Sequence, residues 1–237
     1  MNESPNINKI TARPNRELKA GVILGYILIA INVISGFLLI PFILDSVGDS
    51  GYGIYSSATA IISMFLIDLG LSTATTKFIS NYRRQNRQLD INRLVGTIFK
   101  IYMILSAIIL AATTVFFIFI PSIFLEFTPQ ELDQLKIVFI MVGAYSILSF
   151  PFTILDGVLI AYERLFLNKI ADIISKTAFI IATIIVLWLD LGLYALTACY
   201  ILHGIVGLIL KFIFVMTKTP ISFKDLLLNS IDKKMMW

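Results

Sequence analysis

The sequence predicts an all-α integral membrane protein built as a six-helix transmembrane bundle. Of its 237 residues, 58% are hydrophobic and only 14% are charged, whereas soluble domains are about half apolar and about a quarter charged. The apolar residues fall in long runs, and a membrane span needs about 20 mostly apolar residues. The runs lack the period-two alternation of barrel strands, so helices are the structure that satisfies their backbone polar groups in lipid.

Six runs have the length of a span. In chain order they are Ala20–Leu44, Tyr52–Leu71, Leu94–Ile120, Ile137–Ile160, Ile170–Leu189 and Tyr194–Thr217. We expect them to form one transmembrane lobe over residues 20–217, with an N-terminal segment 1–19 and a tail 218–237 in the cytoplasm. The first run is too long for the apolar region of a cleavable signal peptide, so none is expected.

The connections between the spans indicate the orientation. All 19 lysines and arginines except Lys136 lie on alternate connections, starting with the segment before span one, or on the helix ends that flank them. The other connections carry the acidic residues Asp45, Asp49, Glu126, Glu131, Asp133 and Asp190. Because positive residues concentrate on the cytoplasmic side of a membrane, both termini are expected there.

Some connections have recognisable local chemistry. The stretch 45–51 is rich in aspartate and glycine and predicts a tight turn, and residues 189–193 predict another beside an interfacial tryptophan. The Thr-Pro-Gln-Glu sequence that starts at Thr128 predicts a helix start with the threonine as N-cap. The basic stretch Ser72–Arg93 is expected to extend span two as a helix in the headgroup region.

The chain lacks the motifs of common nucleotide, metal and hydrolase sites. It has no Walker loop, no His-Glu-x-x-His, no cysteine pair and no Gly-x-Ser-x-Gly, and its single cysteine, Cys199, falls inside a span. We therefore expect no enzymatic activity, no cofactor and no metal site. The net charge of +4 is interpreted as a topology signal, and no nucleic-acid partner is expected.

Polar residues inside the spans are the candidates for a substrate or ion path, because a charge at mid-bilayer costs about 2.5–3.5 kcal/mol on insertion scales. The clearest pattern is on span four, where a polar residue recurs every three or four positions. The residues of this stripe are Ser146, Ser149, Thr153 and Asp156. With Pro151 beside it, the stripe favours the wall of a hydrated cavity over a lipid-facing surface.

Other spans add single candidates, each with a structural alternative. Asn32 lies near the centre of span one and either lines a cavity or hydrogen-bonds a neighbouring helix. Asp68 lies about a turn inside the cytoplasmic boundary of span two. It either belongs to the path or has a structural role, in which it snorkels, pairs with a basic neighbour or caps a helix end, and the sequence favours neither. His203 is the only histidine and either relays protons or is a neutral imidazole bonded to a neighbouring helix.

Three lysines lie in the cytoplasmic halves of spans three, five and six. Lys100, Lys176 and Lys211 either snorkel to the interface or make the cytoplasmic half of a cavity cationic. A cationic cavity would suit an anionic substrate such as a lipid-linked pyrophosphate.

Several stretches resemble the oligosaccharide flippases that move O-antigen and capsule repeat units. These flippases belong to the polysaccharide-transport branch of the superfamily that also contains the multidrug and toxin exporters (MATE) and the lipid II flippases. The stretches are Leu18-Lys-Ala-Gly-Val-Ile-Leu-Gly-Tyr, Gly51-Tyr-Gly-Ile-Tyr, Leu66-Ile-Asp-Leu-Gly-Leu-Ser-Thr-Ala-Thr-Thr-Lys-Phe-Ile-Ser and Gly157-Val-Leu-Ile-Ala-Tyr-Glu-Arg. The likeness covers nearly the whole chain.

The resemblance implies a MATE-like transporter of two six-helix lobes that face each other across a central cavity in the bacterial cytoplasmic membrane. The implied activity is alternating access that moves a lipid-linked oligosaccharide from the inner to the outer leaflet, coupled to an ion or proton gradient. Family members have roughly 12 to 14 spans in repeated lobes. This chain therefore resembles an N-terminal lobe, and its tail resembles the linker to a second lobe. The partners implied are a lipid-linked oligosaccharide, membrane lipids and a second six-helix lobe, from the same gene product or a dimer mate.

Two other functions stay open. A drug or cation exporter of the same superfamily would use embedded carboxylates, and the basic cytoplasmic half argues mildly against it. A non-transporting scaffold would hold glycan-assembly enzymes at the membrane through its basic cytoplasmic face.

Overall fold

The computed structural model describes residues 16–66 and 70–222, and this part of the chain is helical apart from short connections. The α-helices are α1 (Arg16–Phe65), α2 (Leu71–Arg84), α3 (Gln88–Ile123), α4 (Pro129–Ser149), α5 (Ile154–Ala161), α6 (Leu165–Trp188) and α7 (Gly192–Lys218). A short 3-10 helix, Phe150–Thr153, joins α4 to α5.

Helix α1 consists of two arms. Gly48 has φ 74° and ψ 170°, which breaks the helix into arm 1a (residues 16–47) and arm 1b (residues 49–65). This region of backbone conformation is open almost only to glycine. The predicted turn at 45–51 is thereby confirmed.

Contacts at the helix ends show that arm 1a runs parallel to α6. Near its start, Gly21 lies against Leu165, the first residue of α6. Near its end, Ser46 donates a hydrogen bond to Asp190, just beyond the end of α6. The two helices therefore point in the same direction.

Arm 1b runs parallel to α4. Ser50 donates a hydrogen bond to Glu131 at the start of α4, and Ile62 packs on Gly143 farther along both helices. Because the chain reverses between α5 and α6, α4 and α6 are antiparallel. The two arms of α1 are therefore antiparallel as well, and they are passes one and two of the bundle.

The remaining passes continue the alternation. Helix α3 is antiparallel to α4, since Tyr102 stacks edge-on against Phe150 while Phe117 lies beside Phe139. Helices α6 and α7 are joined by a tight turn in which Asp190 has φ 51°, which confirms the predicted turn there. The described chain thus makes six passes of alternating direction: arm 1a, arm 1b, α3, α4 with α5, α6 and α7.

The two ends of the bundle differ in charge. Arg16, Arg164 and Lys218 lie at the end where α1 starts and α7 finishes, which we call the basic end. The opposite end, which we call the acidic end, holds Asp190 and Glu131. Residues 16 and 218 are therefore at the same end of the bundle.

Helix α2 follows pass two as a separate helix. It begins after Gly70, which has φ 82°, and it packs along α5, where its backbone approaches Gly157. The prediction of one helix over Ser72–Arg93 is wrong in extent, because α2 ends at Arg84 and Asn86 takes a left-handed φ of 55° before α3 begins. Asparagine is one of the few residues that tolerate this conformation.

The α-helix of pass four is interrupted beside the predicted polar stripe. Helix α4 ends at Ser149, and α5 begins only after the 3-10 turn that contains Pro151. Proline has no backbone N–H to donate, and its ring clashes with the carbonyl four residues earlier. The span predicted as Ile137–Ile160 is therefore two α-helices with a 3-10 turn between them.

The start of pass four has the predicted cap. The Glu131 N–H donates to the Thr128 hydroxyl, and the Thr128 N–H donates to the Glu131 carboxylate at 2.8 Å. This reciprocal pair is a capping box, and it satisfies two backbone donors that the helix end leaves without partners.

The outer surface of the described bundle is apolar. Large side chains such as Phe37, Phe42 and Leu148 are more than half exposed, which suits contact with lipid tails. By length and composition, five described helical stretches can cross a membrane: Arg16–Phe65, Gln88–Ile123, Pro129–Ala161, Leu165–Trp188 and Gly192–Lys218. The all-α membrane fold class is confirmed, and the protein is a multi-pass membrane protein.

Candidate functional site

A polar pocket of about 210 Å³ lies between pass four, α6 and α7. Its charged wall residues are Asp156, Asp172 and Lys211. Asp156 lies in the first turn of α5, and Asp172 lies in the second turn of α6. The end of α5 and the start of α6 meet at the basic end. The pocket therefore occupies the half of the bundle nearer the basic end.

Lys211 lies between the two carboxylates. Its Nζ is 2.6 Å from Asp156 Oδ1 and 2.9 Å from Asp172 Oδ1, and its side chain is only 18% exposed. Asp172 also receives Lys169 Nζ on its other oxygen, at 3.2 Å. A charge removed from water needs such partners, because its desolvation is otherwise uncompensated. The three ion pairs join passes four, five and six and balance two carboxylates with two ammonium groups.

Two glycines of α7 shape the pocket. A Cβ atom on Gly204 would overlap the Tyr145 hydroxyl of α4, and one on Gly207 would lie 3.3 Å from the Ser175 hydroxyl of α6. The absence of side chains at these positions lets both hydroxyl groups approach the α7 backbone. Tyr145 thus lies across α7 on the side of the pocket nearer the acidic end.

Hydroxyl groups of pass four form another part of the wall. Ser149 donates to the Ser146 carbonyl at 3.0 Å, and Thr153 donates to the Phe150 carbonyl at 2.7 Å. Both hydroxyl hydrogens are therefore used within pass four. The oxygens of Ser149 and Thr153 retain lone pairs that can accept hydrogen bonds from a ligand.

His203 completes the predicted residues at the pocket. Its ring lies 5.7 Å from the ring of Phe179. Its Nδ1 atom is buried and has no hydrogen-bond partner among the residues that the structure describes. A buried polar atom without a partner is costly, and this nitrogen is enclosed by the protein with almost no accessible surface.

The structure brings together five of the nine residues predicted for the path: Ser149, Thr153, Asp156, His203 and Lys211. Ser146, from the same stripe, is buried within the bundle and contributes its carbonyl to Ser149. The start of the stripe is therefore buried, and its later residues line the pocket.

The other predicted residues lie elsewhere. Asn32 is exposed on the outer surface of arm 1a and donates to the Leu28 carbonyl of its own helix at 3.0 Å. Lys100 lies on α3 and does not belong to the pocket wall. Asp68 lies outside the described residues.

Of the two alternatives for the lysines, the cationic cavity does not describe this pocket. Lys211 is neutralised by two carboxylates, and Lys176 places its Nζ 4.9 Å above the Phe179 ring, where a cation is attracted to the aromatic face. The pocket wall thus combines both signs of charge.

Residues 18–235 match the family described as polysaccharide biosynthesis protein. The chain belongs to this family. No curated protein and no solved structure matches the chain. The polysaccharide biosynthesis family thus accounts for nearly the whole sequence, including all of the helices that form the pocket.

Two residues of the pocket in this polysaccharide biosynthesis family member, Asp172 and Tyr145, were not predicted from the sequence. Asp172 carried the same signal as Asp156, since both are carboxylates a few residues inside a predicted span. Tyr145 gave no polar signal because tyrosine is common in apolar helices. Its position follows from the missing side chain at Gly204, on a different helix.

Proposed function

We propose that this chain is the N-terminal lobe of a transporter that flips lipid-linked oligosaccharide repeat units from the inner to the outer leaflet by alternating access. The observation that supports the proposal is the ion-paired pocket inside an otherwise apolar bundle, in a member of a polysaccharide biosynthesis family. Ionisable residues inside a membrane bundle are costly and commonly mark substrate or ion pathways.

We place the basic end in the cytoplasm of a bacterial cell. Six passes of alternating direction bring residues 16 and 218 to one end, where arginines and lysines are concentrated. The positive-inside rule assigns such an end to the cytoplasmic side. The pocket then lies in the half of the membrane that faces the donor leaflet of the proposed reaction.

We assign the opposite wall of the transport path to a second six-helix lobe, from the same gene product or from a dimer mate. The ion pairs of Lys211 link three passes within this lobe, so they hold its own side of the path together. Motion of one packed lobe against another is the usual basis of alternating access.

Complementation tests the proposal. The full-length gene product is expressed in a strain that lacks its repeat-unit flippase, and lipid-linked repeat units are followed in the inner leaflet. We expect wild type to restore export, Lys211→Met to fail at equal expression, and the matched variant Lys218→Met, at the exposed end of α7, to behave as wild type. Continued accumulation of inner-leaflet repeat units with the wild-type protein would contradict the proposal.

A second candidate function is export of organic cations or drugs. The observation that favours it is the pair of carboxylates, Asp156 and Asp172, in one pocket. Deletion of the gene distinguishes the two functions, because an exporter's loss raises drug sensitivity and leaves surface glycan intact. Loss of surface glycan with unchanged drug sensitivity supports the flippase.

A further inference from the structure

We infer that the pocket between pass four, α6 and α7 binds an uncharged sugar ring of the substrate, and that the anionic phosphate groups bind elsewhere on the transporter. The inference rests on the proposed flippase function and names the part of the substrate that this pocket takes. Its basis is the charge, the hydrogen-bonding groups and the size of the pocket.

The charge balance disfavours a phosphate. The ammonium of Lys211 already contacts two carboxylate oxygens at 2.6 and 2.9 Å, and the nearby Lys169 is committed to Asp172. A phosphate entering the pocket would have to displace a carboxylate from Lys211 while lying close to both negative charges. Like charges at a few ångströms repel strongly in a partly desolvated site.

The same pairing disfavours an organic cation. A cation would have to displace Lys211 from Asp156 or Asp172, and the displaced ammonium would then remain in the pocket without its partner. Charge separation of this kind is costly away from water. A neutral polar ligand encounters neither penalty.

The wall suits a ring that carries hydroxyl groups. Ser149 and Thr153 spend their hydroxyl hydrogens on pass-four carbonyls and therefore offer acceptor oxygens. The Asp156 and Asp172 carboxylates add further acceptors. Phe152 and Tyr145 contribute aromatic surface to the same wall, and this surface can cover the apolar face of a sugar ring.

The size suits a single ring. The pocket measures about 210 Å³, whereas sites for drug-sized ligands measure about 300–1,000 Å³. One sugar ring fits this space, and a complete repeat unit does not. The remaining sugars and the pyrophosphate must therefore lie outside it, in the wider path.

Protection from alkylation tests the inference. The full chain is purified into lipid nanodiscs without sugar-based detergent, with Cys199→Ala removing the native thiol. Leu208→Cys then places a thiol at the pocket wall without removing a hydrogen-bonding group, and Ser122→Cys provides an exposed control thiol near the end of α3. Alkylation by an uncharged maleimide is measured with glucose, galactose, mannose, rhamnose, N-acetylglucosamine, inorganic pyrophosphate or tetramethylammonium, each at the same concentration.

We expect at least one sugar to slow alkylation of the Leu208→Cys variant about threefold, which corresponds to occupancy of about two thirds. Pyrophosphate, tetramethylammonium and the Ser122→Cys control should show no such slowing. Stronger protection by pyrophosphate or tetramethylammonium than by every sugar, or protection by none of the probes, overturns the sugar site.

The two experiments test the sugar site and the proposed function independently. Protection by a sugar without complementation of the flippase-deficient strain would contradict flipping and leave the sugar site intact. Complementation without protection by any sugar would support flipping and would show that this pocket does not bind a sugar ring.

Discussion

Arg164 donates from a single guanidinium nitrogen to both carboxylate oxygens of Glu17, at 2.7 and 2.8 Å. The pair ties the start of pass one to the turn between passes four and five. One helical turn after Glu17, Gly21 packs against the backbone of Phe166. The same junction at the basic end is thus held by one surface ion pair and one close helix contact.

Gly21→Ala should destabilise the protein by about 1–3 kcal/mol, the usual cost of overpacking. A Cβ there would lie 2.7 Å from Leu165 Cγ and 2.8 Å from the Phe166 backbone nitrogen, and the backbone cannot move aside cheaply. Gly25→Ala is the matched control, since nothing lies within 4 Å of its added Cβ, and alanine should gain about 0.5–1 kcal/mol in a helix. The unfolding temperatures of the two variants in nanodiscs, each compared with wild type, measure these effects. Equal shifts for the two variants would contradict the close contact at Gly21.

Arg164→Gln should cost less than Gly21→Ala. Both side chains of the Arg164–Glu17 pair are more than a third exposed, and exposed pairs contribute about 0–1 kcal/mol. A double-mutant cycle with Glu17→Gln measures the coupling. The coupling should decrease with added salt, and a coupling that is large and independent of salt would show that the pair is effectively buried.

Gly204→Ala should reduce transport with little loss of stability. The added Cβ would overlap the end of the Tyr145 side chain, which can rotate away, unlike the backbone beside Gly21. Rotation displaces Tyr145 from its place across α7 and changes the pocket. Export in the complementing strain and the unfolding temperature separate the two effects, and unchanged export would exclude Tyr145 from the path.

Lys211→Met should destabilise the protein more than Asp156→Asn. Removing one partner of a fully buried pair costs about 3–5 kcal/mol, and because Asp156 and Asp172 are partly exposed we expect about 1–3 kcal/mol. Asp156→Asn leaves Lys211 paired with Asp172, so its cost is smaller. Thermal unfolding of both variants gives the order, and the reverse order would show that Lys211 is not the shared partner.

Acid should weaken the contact between pass two and pass four at the acidic end. Glu131 accepts hydrogen bonds from the Ser50 hydroxyl, which has the largest effect, and from the N–H and hydroxyl of Thr128. These hydrogen bonds lower the pKa of this carboxyl below its ordinary 4.5. Because the folded-state pKa is lowered, the stabilisation is fully present above the unfolded pKa. It is lost as the pH falls through the folded pKa.

Ser50→Ala tests this pH dependence. The variant removes the hydrogen bond that lowers the pKa of Glu131 most. In the folded variant, the pKa of Glu131 should therefore lie closer to 4.5. The difference in unfolding temperature between wild type and variant should be largest above pH 4.5 and should shrink at lower pH. A difference that stays constant across this range would show that Ser50 does not act through the charge of Glu131.

The sequence was sufficient for features that depend on local chemistry. The capping box at Thr128 needs only a threonine and a glutamate three residues apart, and the turns at Gly48 and Asp190 need only residues that tolerate a positive φ. Long apolar runs were enough to predict the fold class. Each of these features is decided within a few neighbouring residues or by composition.

Features that depend on contacts between residues distant in the chain could not be predicted from the sequence. The alternative in which Lys211 makes a cavity cationic does not hold, because Asp156 and Asp172 of two other helices pair with it. The place of Tyr145 depends on the missing side chain at Gly204. Both depend on how the helices are rotated against each other, and hydropathy does not encode that rotation in a bundle with apolar residues on every side.

The one-residue break at Gly48 limits how passes one and two can move. With no loop between the arms, a displacement of one arm along its axis has to be followed by the other. Ser46 and Ser50, on either side of the break, are also hydrogen-bonded to the ends of passes five and four. Sliding of one arm past the other would therefore break these contacts, and we expect the two arms to move together in any rearrangement of the lobe.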